Sequence, residues 1–398
     1  MSEYNTSMVA YWICTGFIIA KLTDYFQLPL GVSNMLTSLS SVFLVLQPLG
    51  GALYSKIRRK RLYLISGNLV WRISLCFVFF SVFLPHTIGT VIFCICLLSM
   101  QFFQQILSPA YEGWHVQAAE QEHCSNFYAV REVVFMILYT VMAAVVQIFI
   151  SVAENGGVIQ QGFIGAGILE SILVAISVVL ILRLSAPTNP VEAQSSSVGA
   201  FAEVLRNKTH TKVIFANASW CFANVFIGGL FGIYAVRVLH VDFIQLMIWG
   251  TVGNLLRTVF GPVFTKIAAR IGWRNCVSDI FFIYAFLAIL LYFSTEQNAI
   301  WIVPVYLSLS TLPLSGFNIG TLKMRIASSS EELRSVYFSA FSLISGGASM
   351  LGTMISSFLI GCIESGTLGI PLQSLFLVGL VLLILPFWIF RKIPLDLH

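Results

Sequence analysis

Gly51-Ala-Leu-Tyr-Ser-Lys-Ile-Arg-Arg-Lys-Arg61 stands between two apolar runs, and Gly261-Pro-Val-Phe-Thr-Lys-Ile267 stands between two others, 210 residues later. Glycine, aromatic ring, hydroxyl, lysine and isoleucine recur in one order. Ser108-Pro-Ala-Tyr-Glu-Gly113 lines up with Ser315-Gly-Phe-Asn-Ile-Gly320 at an offset of 207, and three extra loop residues then restore 210, pairing Glu122 with Glu332 and Ser125-Asn-Phe-Tyr128 with Ser335-Val-Tyr-Phe338. One short match is chance; four in one order, on matching spans, make a duplicated six-helix unit the better reading.

Working outward from those turns, apolar runs fall at 7–27, 32–54, 62–84, 89–111, 128–152 and 162–184, then at 213–236, 243–265, 276–294, 299–321, 336–361 and 371–391. They are spans 1 to 12 below. Each has about the 20 apolar residues that a membrane helix needs. Hydrophobic residues make up 58% of the 398 and charged ones 10%, against about 45–50% and 25% in soluble domains, which excludes a water-soluble globule. The expected fold is all-α, a polytopic membrane protein of twelve helices in two six-helix bundles. Residues 1–184 form the first bundle, 185–212 a polar linker with Pro187, Pro190 and Ser195 to Ser197, and 213–398 the second.

Of the 22 Lys and Arg residues, 18 lie on one side if the N-terminus is cytoplasmic. Those 18 comprise the five between Lys56 and Arg61, together with Arg131, Arg183, Arg206, Lys208, Lys212, Lys266, Arg270, Arg274, Lys323, Arg325, Arg334, Arg391 and Lys392. The positive-inside bias therefore puts both termini in the cytoplasm, in a cell membrane. The basic clusters are topology signals, not a nucleic-acid surface. Met1 to Ser7 has no Lys or Arg, so the first run reads as a retained helix rather than a signal peptide. The eight cysteines include no C-x-x-C pair and read as buried hydrophobes.

Twelve spans in two halves, with a basic turn after span 2 repeated after span 8, resemble the major facilitator superfamily of secondary transporters across the whole chain. Gly51, Lys56, Arg58, Arg59 and Lys60, with Gly261, Pro262, Lys266, Gly272 and Arg274, look like that family's G-x-x-x-D-R-x-G-R-R turn. The resemblance implies a cytoplasmic charge network that holds one access state. This chain departs from the pattern, having Ser55 and Thr265 at the acidic position and Arg58 where a glycine would follow, so that lock should be weaker. Span 5 has none of the Gly-Pro pairs that mark drug/proton antiporters in the family.

Polar residues within spans supply the candidate site. Gln101, Gln105, Ser108 and Glu112 stripe span 4, and Ser308, Thr311, Ser315 and Asn318 stripe span 10, so the two suggest facing cavity walls. Span 7 adds Asn217 and Asn224 beside Trp220. In span 11, Ser335, Ser339, Ser342, Gly346, Ser349, Thr353 and Ser356 keep one face small and polar. That face either lines the cavity or lets helices pack closely. An intramembrane charge marks function or a pair by default. Arg257 in span 8 is the candidate anion contact, with a snorkel to the interface as its bland alternative, while Tyr11, Trp220 and Trp249 offer stacking surfaces. Arg72 in span 3 and Glu170 in span 6 fall at similar depth and are expected to form a structural ion pair. Lys21 and Asp24, three apart near the outer end of span 1, are spaced to neutralise each other.

Glu112 and Arg131, with Lys56, Arg59 and Lys266, sit where a gate between halves would close, and a solvated loop is the plain alternative. No G-x-S-x-G, H-E-x-x-H or phosphate-binding glycine loop occurs, so neither an enzyme nor a cofactor is expected, and no metal. The sequence thus predicts a monomeric secondary transporter that moves a small polar, anionic or zwitterionic solute by alternating access, with the lipid bilayer as surroundings and a proton or other ion as an optional coupling partner. The other readings are an exporter of an amphipathic compound or peptide, and a non-transporting sensor or assembly protein of the same fold.

Overall fold

Backbone polar groups in hydrocarbon have no water to bond, so a long apolar run is stable there as a helix. In the computed structural model, which describes residues 2–117, 124–184, 204–329 and 334–395, every regular element among the described residues is helical. Nine helices are individually long and apolar enough to cross a bilayer, and two bent pairs, Ser2–Ile13 with Phe17–Tyr25 and Leu30–Thr37 with Leu39–Tyr54, bring the count to eleven. At span 8 the helix Phe243–Ile271 is 29 residues long, its apolar stretch diluted by Gln245, Asn254 and Arg257. Each of the twelve expected spans therefore has its helix. The linker at 185–203 and the Glu122/Glu332 repeat pair lie outside the described residues.

Local chemistry sets where these helices start, bend and stop. Span 1 bends by 44° where Gly16 takes φ 58°, a conformation an L side chain rarely adopts. Gly272, at φ 82°, closes the span 8 helix and opens Trp273–Tyr292. Asn207 and Asp242 cap the helices of spans 7 and 8, their side chains accepting from the backbone N–H of His210 and Ile244, both at 3.1 Å. Span 7 then widens into two π-helical stretches, Val225–Gly229 and Tyr234–Val238, a local geometry often found at functional sites.

By contact the chain forms two compact units, Met1–Leu28 with Leu46–Ala193, and Pro29–Val45 with Gln194–His398. The first half of span 2 thus groups with the second unit. Asn34 there donates to the hydroxyls of Ser356 and Ser357 at 2.9 and 3.0 Å.

Close helix approach recurs at matching places in the two units. A Cβ on Gly50 would collide with the carbonyl of Ile106 in span 4, and one on Gly253 in span 8 would collide with the carbonyl of Leu307 in span 10. Both obstacles are backbone, which side-chain repacking does not remove. Gly50→Val is expected to destabilise the protein by about 1–3 kcal/mol or more. Thermal unfolding in detergent, compared with Gly51→Val, where a Cβ meets open space, checks this. Equal melting of the two variants would show that spans 2 and 4 do not touch at Gly50.

Candidate functional site

In the first unit the helix of span 1 begins at Ser2, so Glu3 is a buried side chain within it, 3% exposed, rather than part of a tail. Its carboxylate gathers three partners. Oε1 accepts from Nη2 of Arg72 at 2.5 Å, and Oε2 accepts from the Tyr111 hydroxyl at 2.6 Å. Nε2 of His115 stands 2.7 Å from Oε2, off the line of a good N–H···O bond. The Tyr111 hydroxyl also lies 2.9 Å from that of Ser7, and Arg72 Nη1 donates to the carbonyl of Ser177 in span 6 at 3.4 Å. The guanidinium of Arg131 in span 5 stacks over Tyr4 at 4.0 Å. Spans 1, 3, 4, 5 and 6 thereby meet around one buried ion pair.

The expected Arg72–Glu170 pair is therefore corrected: Arg72 is paired with Glu3, and both carboxyl oxygens of Glu170 are buried without a hydrogen-bond partner among the described residues. Arg72 does reach span 6, but at Ser177, seven residues beyond Glu170 and so about 10 Å further along the helix. Lys21 pairs with Glu154 at 2.5 Å. His115 occupies the last turn of the helix His86–Gln117.

Higher in the first unit, the span 4 glutamines find partners on its own helices. Tyr11 donates to Gln101 at 2.7 Å, and Gln47 donates to Gln105 at 2.9 Å. Between them and the Glu3 cluster lies a small void of about 10 Å³, lined by Asn68, Gln104, Ser108 and Tyr111 among others, into which the unpartnered Gln104 carbonyl contributes polarity. That is about the room one water needs.

The second unit holds the remaining candidates. Asn217 donates to Ser345 at 2.8 Å, and Trp220 packs among Phe281, Tyr284 and Phe317 with ring centroids 4.4 to 5.5 Å apart. Asn224 is the last residue before the first π-helical stretch. Arg257 lies close enough to Tyr284 for its charge to act on the phenol, and among the described residues it has no hydrogen bond or ion pair. Ser342 is half-buried on span 11, whereas Gly346 on the same face meets the Leu44–Val45 backbone so closely that a Cβ would stand 2.7 Å from an amide nitrogen. Toward that end the small stripe is a packing face. Lys56, Arg59 and Lys266 are exposed; the side chains of Ser55, Glu112 and Ser335 lie outside the described residues. No group of three or more His, Cys, Asp or Glu is placed to hold a metal among the described residues.

The helices, the duplicated basic turn and the polar side chains inside the spans define an integral membrane protein of transporter type. The Major Facilitator Superfamily model matches residues 4–353, and the chain belongs to that family. Among solved structures it is similar to a variant of the nucleoside transporter NupG, at 16% identity and a TM-score of 0.70, covering 99% of this chain and 100% of that one. It is also similar to proton-dependent oligopeptide transporters (12%, TM-score 0.61, covering 98% and 99%) and to a variant of the E. coli fucose:proton symporter FucP (12%, 0.57, 98% of each). No curated protein matches the chain.

Proposed function

We propose that the protein is a secondary active transporter that moves a small polar solute, anionic or zwitterionic, across a cell membrane by alternating access, with both termini in the cytoplasm. The observation that carries the reading is Arg257, an intramembrane cation with no acidic partner among the described residues, beside Tyr284 and the Trp220 cluster. A planar guanidinium suits a carboxylate or phosphate, the aromatic faces suit an apolar or ring-shaped portion, and Asn217, Asn224 and Ser342 add neutral hydrogen-bonding groups. Within the first unit Gln101 and Gln105 are proposed as further hydrogen-bonding groups, and Lys56, Arg59, Glu112 and Arg131 there, with Lys266 in the second unit, as gating groups.

A thermal-stabilisation screen of the purified protein tests the substrate class. Carboxylates, amino acids and phosphate esters should raise the melting temperature, with neutral nucleosides and sugars as the opposing arm; stabilisation by the neutral compounds alone would remove the anionic preference. Orientation has its own test. A cysteine placed in the 185–212 linker of a variant otherwise free of thiols should react with an impermeant reagent only in inverted vesicles, and labelling in intact cells would reverse the topology.

A further inference from the structure

A hollow of about 690 Å³ on the first unit has a lining of two kinds: the consecutive cations Arg58, Arg59, Lys60 and Arg61 on one part, and Leu62, Ile65 and Leu182 on the other. It sits where the helix Lys60–Phe80 begins and the helix Ile159–Arg183 ends. Those two ends share a level, because Arg61 Nη2 donates to the Leu182 carbonyl at 3.0 Å. One bond of its five N–H donors fixes the side chain and leaves the rest available. Lys60 is steadied over the Tyr54 ring at 5.2 Å. Leu62 and Leu182 are 58% and 51% exposed, as lipid-facing side chains are.

None of the four cations has an acidic partner among the described residues. The sequence explains why: Ser55 stands where the resembling turn carries an acid, so no carboxylate is built in to neutralise the cluster. Like charges this close, on consecutive residues, repel unless something external compensates them. At a helix end flanked by exposed leucines, an anion with hydrocarbon attached matches both parts of the lining, whereas a free counterion matches only the cations.

We propose that this hollow is a binding site for an anionic phospholipid, whose phosphate is held by Arg58, Arg59 and Arg61 while its acyl chains lie along Leu62, Ile65 and Leu182. A guanidinium offers the planar fork that a phosphodiester accepts, and the apolar floor distinguishes a lipid from a free anion. The site is separate from Arg257 and does not depend on which solute is carried.

Native mass spectrometry of the full chain, released from micelles doped with phosphatidylglycerol or with phosphatidylcholine, reads the site directly. Phosphatidylglycerol should be retained in preference, and the pair Arg58→Gln with Arg59→Gln should weaken its retention on the order of tenfold or more, at about fivefold per cation. Arg58→Lys with Arg59→Lys keeps the charge and should keep most of the binding, which separates a lost site from a misfolded protein. Arg270→Gln with Lys392→Gln, a control of equal charge elsewhere at the basic end, should leave retention unchanged. Equal retention of the two lipids, an equal loss in the control, or displacement of the lipid by millimolar inorganic phosphate would each overturn the proposal, the last by showing a simple ion site.

Discussion

Arg72→Leu is expected to destabilise the protein by about 3–5 kcal/mol, and adding Glu3→Leu should return much of that loss, whereas adding Glu170→Leu should return none of it attributable to pairing. Arg72 is fully buried and Glu3 nearly so, and their 2.5 Å contact is supported by Tyr111. Taking away the cation strands a carboxylate that only a tyrosine hydroxyl and His115 then face. Taking away both leaves an apolar gap, which is far less costly than an uncompensated charge. Glu170 responds differently. Both its oxygens lack hydrogen-bond partners among the described residues, so Glu170→Leu removes a buried unsatisfied group and is expected to be neutral or stabilising. Thermal melting of the four proteins in each double-mutant cycle measures this. Coupling between Arg72 and Glu170, with none between Arg72 and Glu3, would overturn the arrangement around the first span. Tyr111→Phe, which deletes one charge-assisted bond and keeps the ring, should cost about 1.5–3 kcal/mol.

The reason the sequence pointed Arg72 at the wrong acid is instructive. Hydropathy places a charge along the membrane normal with fair accuracy, and Arg72 and Glu170 do lie on spans that pack together in one unit. What hydropathy cannot supply is the rotation of each helix about its axis, and rotation decides which acid faces the guanidinium. Glu3 escapes hydropathy for a second reason: it precedes the first long apolar run, 7–27, although the helix already begins at Ser2. Lys21 shows the same limit: Asp24 is its neighbour in sequence, but Glu154, 133 residues away, is 2.5 Å from its ammonium. The features written into the chain most strongly, the twelve apolar runs and the repeated Gly-to-Ile turn, are those that backbone chemistry alone dictates. The span 1 bend at Gly16 and the π-helical stretches of span 7 depend on packing, and only the glycines hint at them. On span 11 the spacing of small residues was legible, but packing and cavity lining use the same residues. Gly346 against the Leu44–Val45 backbone assigns one end of the stripe to packing, a distinction no spacing rule makes.

The other large effect is expected at Arg257, and it is read in ligand affinity instead of stability. Arg257 is the middle residue of the helix Phe243–Ile271, but it lies in the inner half of the apolar run 243–265, eight residues or about 12 Å from the inner end of that run at 1.5 Å per residue. Among the described residues the guanidinium has no hydrogen bond or ion pair, so under the proposed function it is available to a ligand, and the affinity series below separates that role from a snorkel to the inner interface. A buried, charge-assisted contact of this kind contributes about 1.5–3 kcal/mol, so Arg257→Gln should weaken the best anionic or zwitterionic compound from the stabilisation screen by roughly ten- to a hundredfold. Arg257→Lys should restore only part of the loss, because an ammonium keeps the charge but not the planar fork. Tyr284→Phe separates the charge from its surroundings: it leaves the cation in place and should change affinity much less than Arg257→Gln does. Binding measured on the wild type and these three variants, each matched for folding by its melting curve, decides the matter. Unchanged affinity in both Arg257 variants would take the residue out of the site, and the preference for a negatively charged solute would go with it.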